Sequence, residues 1–231
     1  MKPIQVIAVI ASIGAMSMLY TILYKPEWYY PAQVKLQSDT STTQFLRFGM
    51  NTICCDNAST DLVCKSGECY DINNDCTINN SLTNKLIPFV ENCNLFIAIR
   101  SMILASTVLS TLAVLVGTGS IIYTQTQNIK RNIYVNSINL VVALHSVSVT
   151  LLCITSAVCF SVLIKNEHNT LFSGMDTDVD ACKAGIGYAY YMNIGAAVFS
   201  LINSVLYVSM YVKPPLEDDE NAMYRLIPDN A

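Results

Sequence analysis

The chain has 231 residues, 52% of them apolar and 13% charged, with 13 basic against 17 acidic side chains and a net charge of −4. Soluble domains usually carry about a quarter charged residues, so this deficit, with a positive mean hydropathy, excludes an ordinary water-soluble domain. No basic patch for nucleic acid, no Gly-rich phosphate loop and no HExxH or GxSxG motif occurs, which argues against nucleic-acid binding and the commoner enzyme chemistries.

Residues 4–23 (IQVIAVIASIGAMSMLYTIL) carry no charge over about the 20 residues needed to cross a bilayer. A cleaved signal peptide is the rival reading, with Lys2 as its positive end and small residues near Ser17. The apolar stretch exceeds the roughly 7–15 residues of a signal core, so an uncleaved span is expected. Ala8 with Ser12, and Ala11 with Ala15, give it the four-residue small spacing that lets helices approach closely.

The loop at 24–94 holds Cys54, Cys55, Cys64, Cys69, Cys76 and Cys93. In an oxidising compartment six cysteines read as a disulfide framework. Cys54 and Cys55 are adjacent and cannot easily bond to each other, so each needs its own partner. Runs as short as ICC, DLV and LIPFV build little core unaided; cross-links worth about 2–4 kcal/mol each offset that. Gln33–Arg47 alternates weakly between apolar and polar, and Met50–Cys55 reads as a further strand. Asn57-Ala58-Ser59 and Asn79-Asn80-Ser81 are glycosylation sequons. Cys64 and Cys69 have a loosely metal-like spacing, but no second tight pair or His cluster accompanies them. No metal and no cofactor is expected.

A second span is read at 95–123, a short loop with Lys130 and Arg131 at 124–132, and a third span at 133–164. Positive residues in short loops tend to stay cytoplasmic, which puts both termini inside, with Lys2, Lys213 and Arg225, and the cysteine-rich loop outside. Arg100 falls at the outer membrane boundary, either snorkelling to the interface or bonded to a carbonyl or acid of the folded loop. Inside the third span, Cys153 and Cys159 read as apolar fillers, and His145 as a neutral side chain hydrogen-bonded to a neighbouring helix, with a proton or ion path as the alternative. Asn136, Asn139, Asn193 and Asn203 should turn inward or towards a partner. The second outer loop, 165–183, supplies the seventh outer cysteine, Cys182, which pairs with the first loop or between chains.

The fourth span is read at 184–212, with Ala196, Ser200 and Ser204 as a small-residue stripe that packs the bundle or meets another protein. The tail, 213–231, is acidic and reads as disordered. Its Tyr224-Arg225-Leu226-Ile227 fits a Tyr-x-x-apolar endocytic signal, and the terminal Asp-Asn-Ala is not a PDZ ligand. The fold class expected is a membrane all-α four-helix bundle carrying a small disulfide-stapled extracellular β-sheet.

Four spans, inside termini and a large first outer loop resemble the claudin and peripheral-myelin-protein superfamily; tetraspanins place their large cysteine-rich loop second. The superfamily's first-loop motif is a Trp, then Gly-Leu-Trp, two residues and Cys, with a second Cys further on. Here Trp28 stands for the first Trp, and Gly49-Met50-Asn51-Thr52-Ile53-Cys54 fits the frame, with Met for Leu and Asn for the second Trp. The doublet Cys54-Cys55, followed after eight residues by Cys64-Lys65 with the Asn57 sequon between, looks like the calcium-channel gamma subunits, also known as transmembrane AMPA-receptor regulatory proteins. Phe96-Ile97-Ala98-Ile99-Arg100-Ser101 and Gly187-Tyr188-Ala189-Tyr190-Tyr191 are similar again. One arrangement suggested by the likeness ties the doublet's strand both to its neighbour in the sheet and to the loop returning towards Cys93.

Both histidines are isolated and no nucleophile pairs with a base, so an enzyme is not expected. Nor is a pore, since no span shows a regular polar stripe. The resemblance implies a plasma-membrane protein working through lateral contact in the lipid bilayer, as an auxiliary subunit of a channel or receptor. The alternative is a claudin-type junction protein meeting claudin-like chains in cis or trans, with Asp56, Asp61, Glu68, Asp71 and Asp75 tuning paracellular ion passage.

Overall fold

The computed structural model describes residues 3–24, 29–36, 43–55, 67–80, 85–88, 92–126, 133–167, 179–181 and 185–212. Four helices carry the uncharged runs: α1 (Pro3–Tyr24), α2 (Cys93–Thr126), α3 (Ile133–Glu167) and α4 (Tyr188–Val212). Each contains a segment long and apolar enough to cross a membrane, from 21 to 31 residues. The chain is a four-helix membrane protein. Helix α4 begins at Tyr188 rather than at 184, because Gly185–Ile186 form a short strand whose backbone pairs with the strand Tyr29–Leu36.

The helices form an up-and-down ring in which α1 packs on α2 and α4, and α3 packs on the same two. At one end, Leu19 and Ile22 of α1, Phe96 and Ile99 of α2, Phe160 and Leu163 of α3, and Ala189 of α4 share one buried cluster. At the other, Ala8, Ala113, Val142, Tyr207 and Met210 form a second. Helices α1 and α4 meet through small residues: Ala8, Ala11, Ser12 and Ala15 are buried on one side, Ala196, Ala197, Ser200 and Ser204 on the other. Glycines bring the backbones closer still. A methyl group on Gly14 would sit 3.4 Å from Phe199 Cδ1, and one on Gly195 would sit 3.0 Å from Met18 Sδ.

Large apolar side chains such as Ile10, Leu104, Leu115, Leu144, Leu151 and Leu201 point outward, while every buried polar residue described is Ser, Thr or Asn. That inversion suits a hydrocarbon solvent, where packing and interhelical hydrogen bonds hold helices together. Exposed tyrosines cluster near the helix ends: Tyr24, Tyr188 and Tyr191 at one, Tyr123 and Tyr211 at the other. Tyr191 and Tyr211 are separated by about 30 Å of helix, which matches a hydrocarbon core of about 30 Å edged by aromatic belts.

The first loop folds into more strands than its sequence pattern suggests. The weakly alternating stretch divides into β1 (Tyr29–Leu36) and β2 (Thr43–Phe48), followed by β3 (Thr52–Cys55), β4 (Cys69–Asp71), β5 (Thr77–Asn80) and β6 (Lys85–Pro88). The second loop adds β7 (Val179–Ala181) and β8 (Gly185–Ile186). The main sheet runs β4-β3-β2-β1-β7, with β8 also on β1, and β5 and β6 make a separate hairpin. All pairings are antiparallel. Pairing β1 with β7 and β8 draws the two loops into one layer, a long-range contact that a one-dimensional pattern does not carry.

Candidate functional site

The candidate site is the junction between the main sheet and the helix ends it covers, together with the polar interior beneath it. Strand β3 is its hinge. Gly49 N–H donates to the Thr52 carbonyl at 2.8 Å, turning the chain into β3. Met50, Ile53 and Cys55 then bury against the mouth of the bundle in the same cluster as all four helices. Asn51, next to Met50, faces the end of α1. Its side-chain amide donates to the Leu23 carbonyl at 3.1 Å, satisfying one of the orphan acceptors at the end of α1, while its own carbonyl accepts from Ile72 N–H at 2.8 Å. A buried thioether, Met50, and this helix-end hydrogen bond hold β3 against the bundle. Sequence comparison marks Asn51 only as a departure; its role becomes visible once α1 and β3 are juxtaposed.

Geometry assigns two of the bridges. Cys54 lies opposite Cys69 in the β3–β4 register, with Cα atoms 4.0 Å apart, and the two are bonded. Cys55, one residue on and so facing the other side of the strand, is also disulfide-bonded, to a cysteine outside the described residues. The doublet thus staples two faces of one strand. Its bridges do not reach Cys93, which is bonded to Cys76 across 17 residues. Cys76 sits in a tight turn whose Asn73 N–H donates to the Thr77 carbonyl at 2.9 Å, and its φ of 57° is unusual for a residue with a side chain. Cys93 is the first residue of α2, just after Asn92, whose side-chain oxygen accepts from Leu95 N–H at 3.2 Å as an N-cap. The Cys76–Cys93 bridge therefore anchors the turn to the start of a helix. Cys64 and Cys182 lie outside the described residues, as do Trp28, the Asn57 sequon, Tyr224 and Ile227. Asn79 lies in β5 opposite Leu86.

Glu68, Asp71 and Asp75 are exposed, whereas Arg47 of β2 is partly buried. Glu68 accepts from the Tyr70 hydroxyl at 2.6 Å. The Asp75 carboxylate accepts from the Thr77 hydroxyl at 2.7 Å and from its N–H at 3.3 Å, and the hydroxyl bond chiefly holds its pKa below the usual carboxylate value. Arg100 is half-buried on α2, and no hydrogen bond or ion pair for it appears among the described residues.

Within the bundle, Asn139, Asn193 and Asn203 turn inward, as their cost in hydrocarbon leads one to expect, and buried polar side chains link the helices. Asn203 of α4 is the hub. Its amide N–H donates to Ser146 Oγ of α3 at 2.7 Å, and its carbonyl oxygen accepts from Ser12 Oγ of α1 at 2.9 Å. Nearer the sheet, Asn193 donates to the Cys153 carbonyl and to Ser156 Oγ, both at 2.9 Å, and Thr150 Oγ1 donates to the Ala197 carbonyl at 3.4 Å. Asn139 is also buried; the side chain of Asn136 lies outside the described residues. At the mouth, Tyr190 packs on Phe160 with ring centroids 5.9 Å apart, and its hydroxyl meets Ser161 Oγ at 3.1 Å.

Two sequence expectations need correction. The stripe Ala196, Ser200 and Ser204, a candidate for meeting a partner, is 0–5% exposed inside the chain's own bundle; the outer face of α4 is instead Val198, Leu201, Ile202 and Val205. His145 does not bond to a neighbouring helix. Its Nδ1 lies 2.8 Å from the Val141 carbonyl one turn back on α3, because the side chain emerges in the outer groove between α2 and α3. Cys153 and Cys159 are free thiols. No group of His, Cys, Asp or Glu suited to a metal ion occurs among the described residues.

No protein-family model matches the chain, and no curated protein matches it. The class of molecule is therefore defined by the fold alone: a four-span membrane protein with disulfide-bonded strands over one end of its bundle.

Proposed function

We propose that the protein is a non-enzymatic, claudin-like membrane subunit acting by lateral contact, an auxiliary component of an ion channel or receptor at the plasma membrane. One observation carries this reading. Met50, Ile53, Cys55 and Ile72 of the outer sheet region share a single buried cluster with α1, α2, α3 and α4. The sheet and the bundle are therefore one mechanical unit, and contact with a partner's outer domain is coupled to contact with its spans. Any gating effect requires tighter binding to one partner state than another. The doubled cysteine and its resemblance to channel gamma subunits support the same reading.

The disulfides support an exoplasmic sheet. Four spans then leave both termini cytoplasmic, with Asn57 and Asn79 available for glycosylation. A junctional role is the second reading, favoured by the exposed acids Glu68, Asp71 and Asp75 near the β4 edge. Gentle solubilisation and identification of the co-purifying proteins separate the two. A stoichiometric channel or receptor supports the first. Self-assembled strands at cell contacts, with altered paracellular resistance, support the second and overturn the first.

A further inference from the structure

We propose that the lipid-facing groove between α2 and α3 docks one transmembrane helix of another protein, held by a Ser or Thr hydroxyl donated to His145 Nε2. The inference rests on the lateral-contact reading and names the face that makes the contact.

Three observations meet at this groove. The first is an acceptor without a donor. The Val141 carbonyl can only accept, so Nδ1 of His145 carries the proton of the 2.8 Å bond. In the neutral ring Nε2 is then left as an acceptor, and no partner for it appears among the described residues. The second is depth. His145 lies eight residues inside Ser137, where the apolar segment begins, or about 12 Å along the helix. Neither water nor headgroups satisfy an acceptor there, and an unsatisfied polar group in hydrocarbon is costly. The third is room. The ring borders a hollow of about 20 Å³ walled by Leu112, Ala113, Val116, Val141 and Val142. One turn beyond Val116, Gly119 faces outward, and a methyl group built on it would meet nothing within 4 Å. Glycine weakens a helix relative to alanine, and nothing among the described residues requires it here. What it does provide is a place where a second helix backbone can come close.

The occupant follows from this chemistry. An acyl chain brings no donor. The hollow takes a hydroxyl-sized group and not a headgroup, and a sterol hydroxyl belongs at the membrane boundary, about 12 Å away. A helix with a Ser or Thr facing the groove supplies the donor at the right depth and uses the space over Gly119.

The test uses the full chain in the membranes of intact cells. A photo-crosslinking amino acid is placed at Leu112, Val116 or Gly119 in the groove, and at Val198 or Val205 on the outer face of α4. Expected is a protein adduct from the groove positions, mapping to a Ser- or Thr-bearing transmembrane segment. Its yield should fall about threefold in His145→Leu, the loss of one interhelical hydrogen bond, and recover in His145→Gln, which restores an acceptor. Surface expression and the disulfide pattern should be unchanged in both variants. Lipid-only adducts in the groove, adducts to a second copy of this chain, or groove adducts indifferent to His145→Leu overturn the inference. Adducts to another protein confined to α4 overturn it but leave the lateral-contact reading standing. No protein adduct at any position overturns both.

Discussion

Gly117 offers a direct test of how the bundle is packed. It faces Tyr207 of α4 and Val142 of α3. A Cβ added there would overlap the Tyr207 hydroxyl, approach Cζ to 3.0 Å and lie 3.6 Å from Val142 Cγ1. Two effects oppose each other in Gly117→Ala. Replacing glycine in a helix interior gains about 1 kcal/mol, while forcing a methyl group into a filled core costs about 1–3 kcal/mol. The clash is with the far end of a side chain, which in an open site would swing aside cheaply. Tyr207 is only 1% exposed, so its rigid ring has nowhere to go. The clash should prevail, with a net loss of up to about 2 kcal/mol. Tyr207→Phe removes the overlapping oxygen, so adding Gly117→Ala in that background should cost much less. The two substitutions should couple by about 1 kcal/mol. Unfolding of purified protein in mixed micelles with rising SDS fraction, followed by far-UV circular dichroism, measures all four members of the cycle. A Gly117→Ala protein at least as stable as the parent, with no coupling to Tyr207→Phe, would refute the contact between the Tyr207 side chain and Gly117.

Asn203→Leu should lose about 1–3 kcal/mol in the same assay, since it removes bonds to both Ser12 and Ser146 at roughly 0.6–1.7 kcal/mol each; a cycle with Ser146→Ala isolates one of them. Cys54→Ser with Cys69→Ser opens a cross-link between residues 15 apart and should cost the outer sheet about 3 kcal/mol, read as faster proteolysis between β3 and β4 while the helices stay intact. Asn51→Ala should raise amide exchange at Ile53 and Ile72 by freeing β3 from the end of α1, without changing the helical content. The Asp75 pKa is depressed, so its contribution is present above the ordinary carboxylate range and is lost as pH falls through the folded value. The protection of the Thr77 amide, measured against its intrinsic exchange rate at each pH, should therefore fall at acid pH, and in Asp75→Asn that acid-dependent step should disappear.

The run lengths and charge pattern alone determined that the chain has four spans, and placed all but a few helix-end residues. Hydrophobicity over some 20 residues is a local sum, and no distant contact is needed to read it. The clustering of six cysteines between the first two spans likewise indicated disulfide bonding in the connecting loop. What the sequence could not assign was any relation between segments. The small-residue stripe of α4 has the same spacing whether it meets α1 or a foreign helix; only the packed bundle shows Ala196, Ser200 and Ser204 turned inward. Asn51 looks like a missing aromatic until the end of α1 arrives beside it. Cys93 is about as available to the doublet as to Cys76 along the chain, and it is the β5-side turn, with Cys76 in a left-handed conformation, that brings one sulfur to the start of α2. Pairings, inward faces and the groove at His145 depend on which surfaces meet in three dimensions. Tertiary structure decides those because contact energies act across space, whereas composition and periodicity act along the chain.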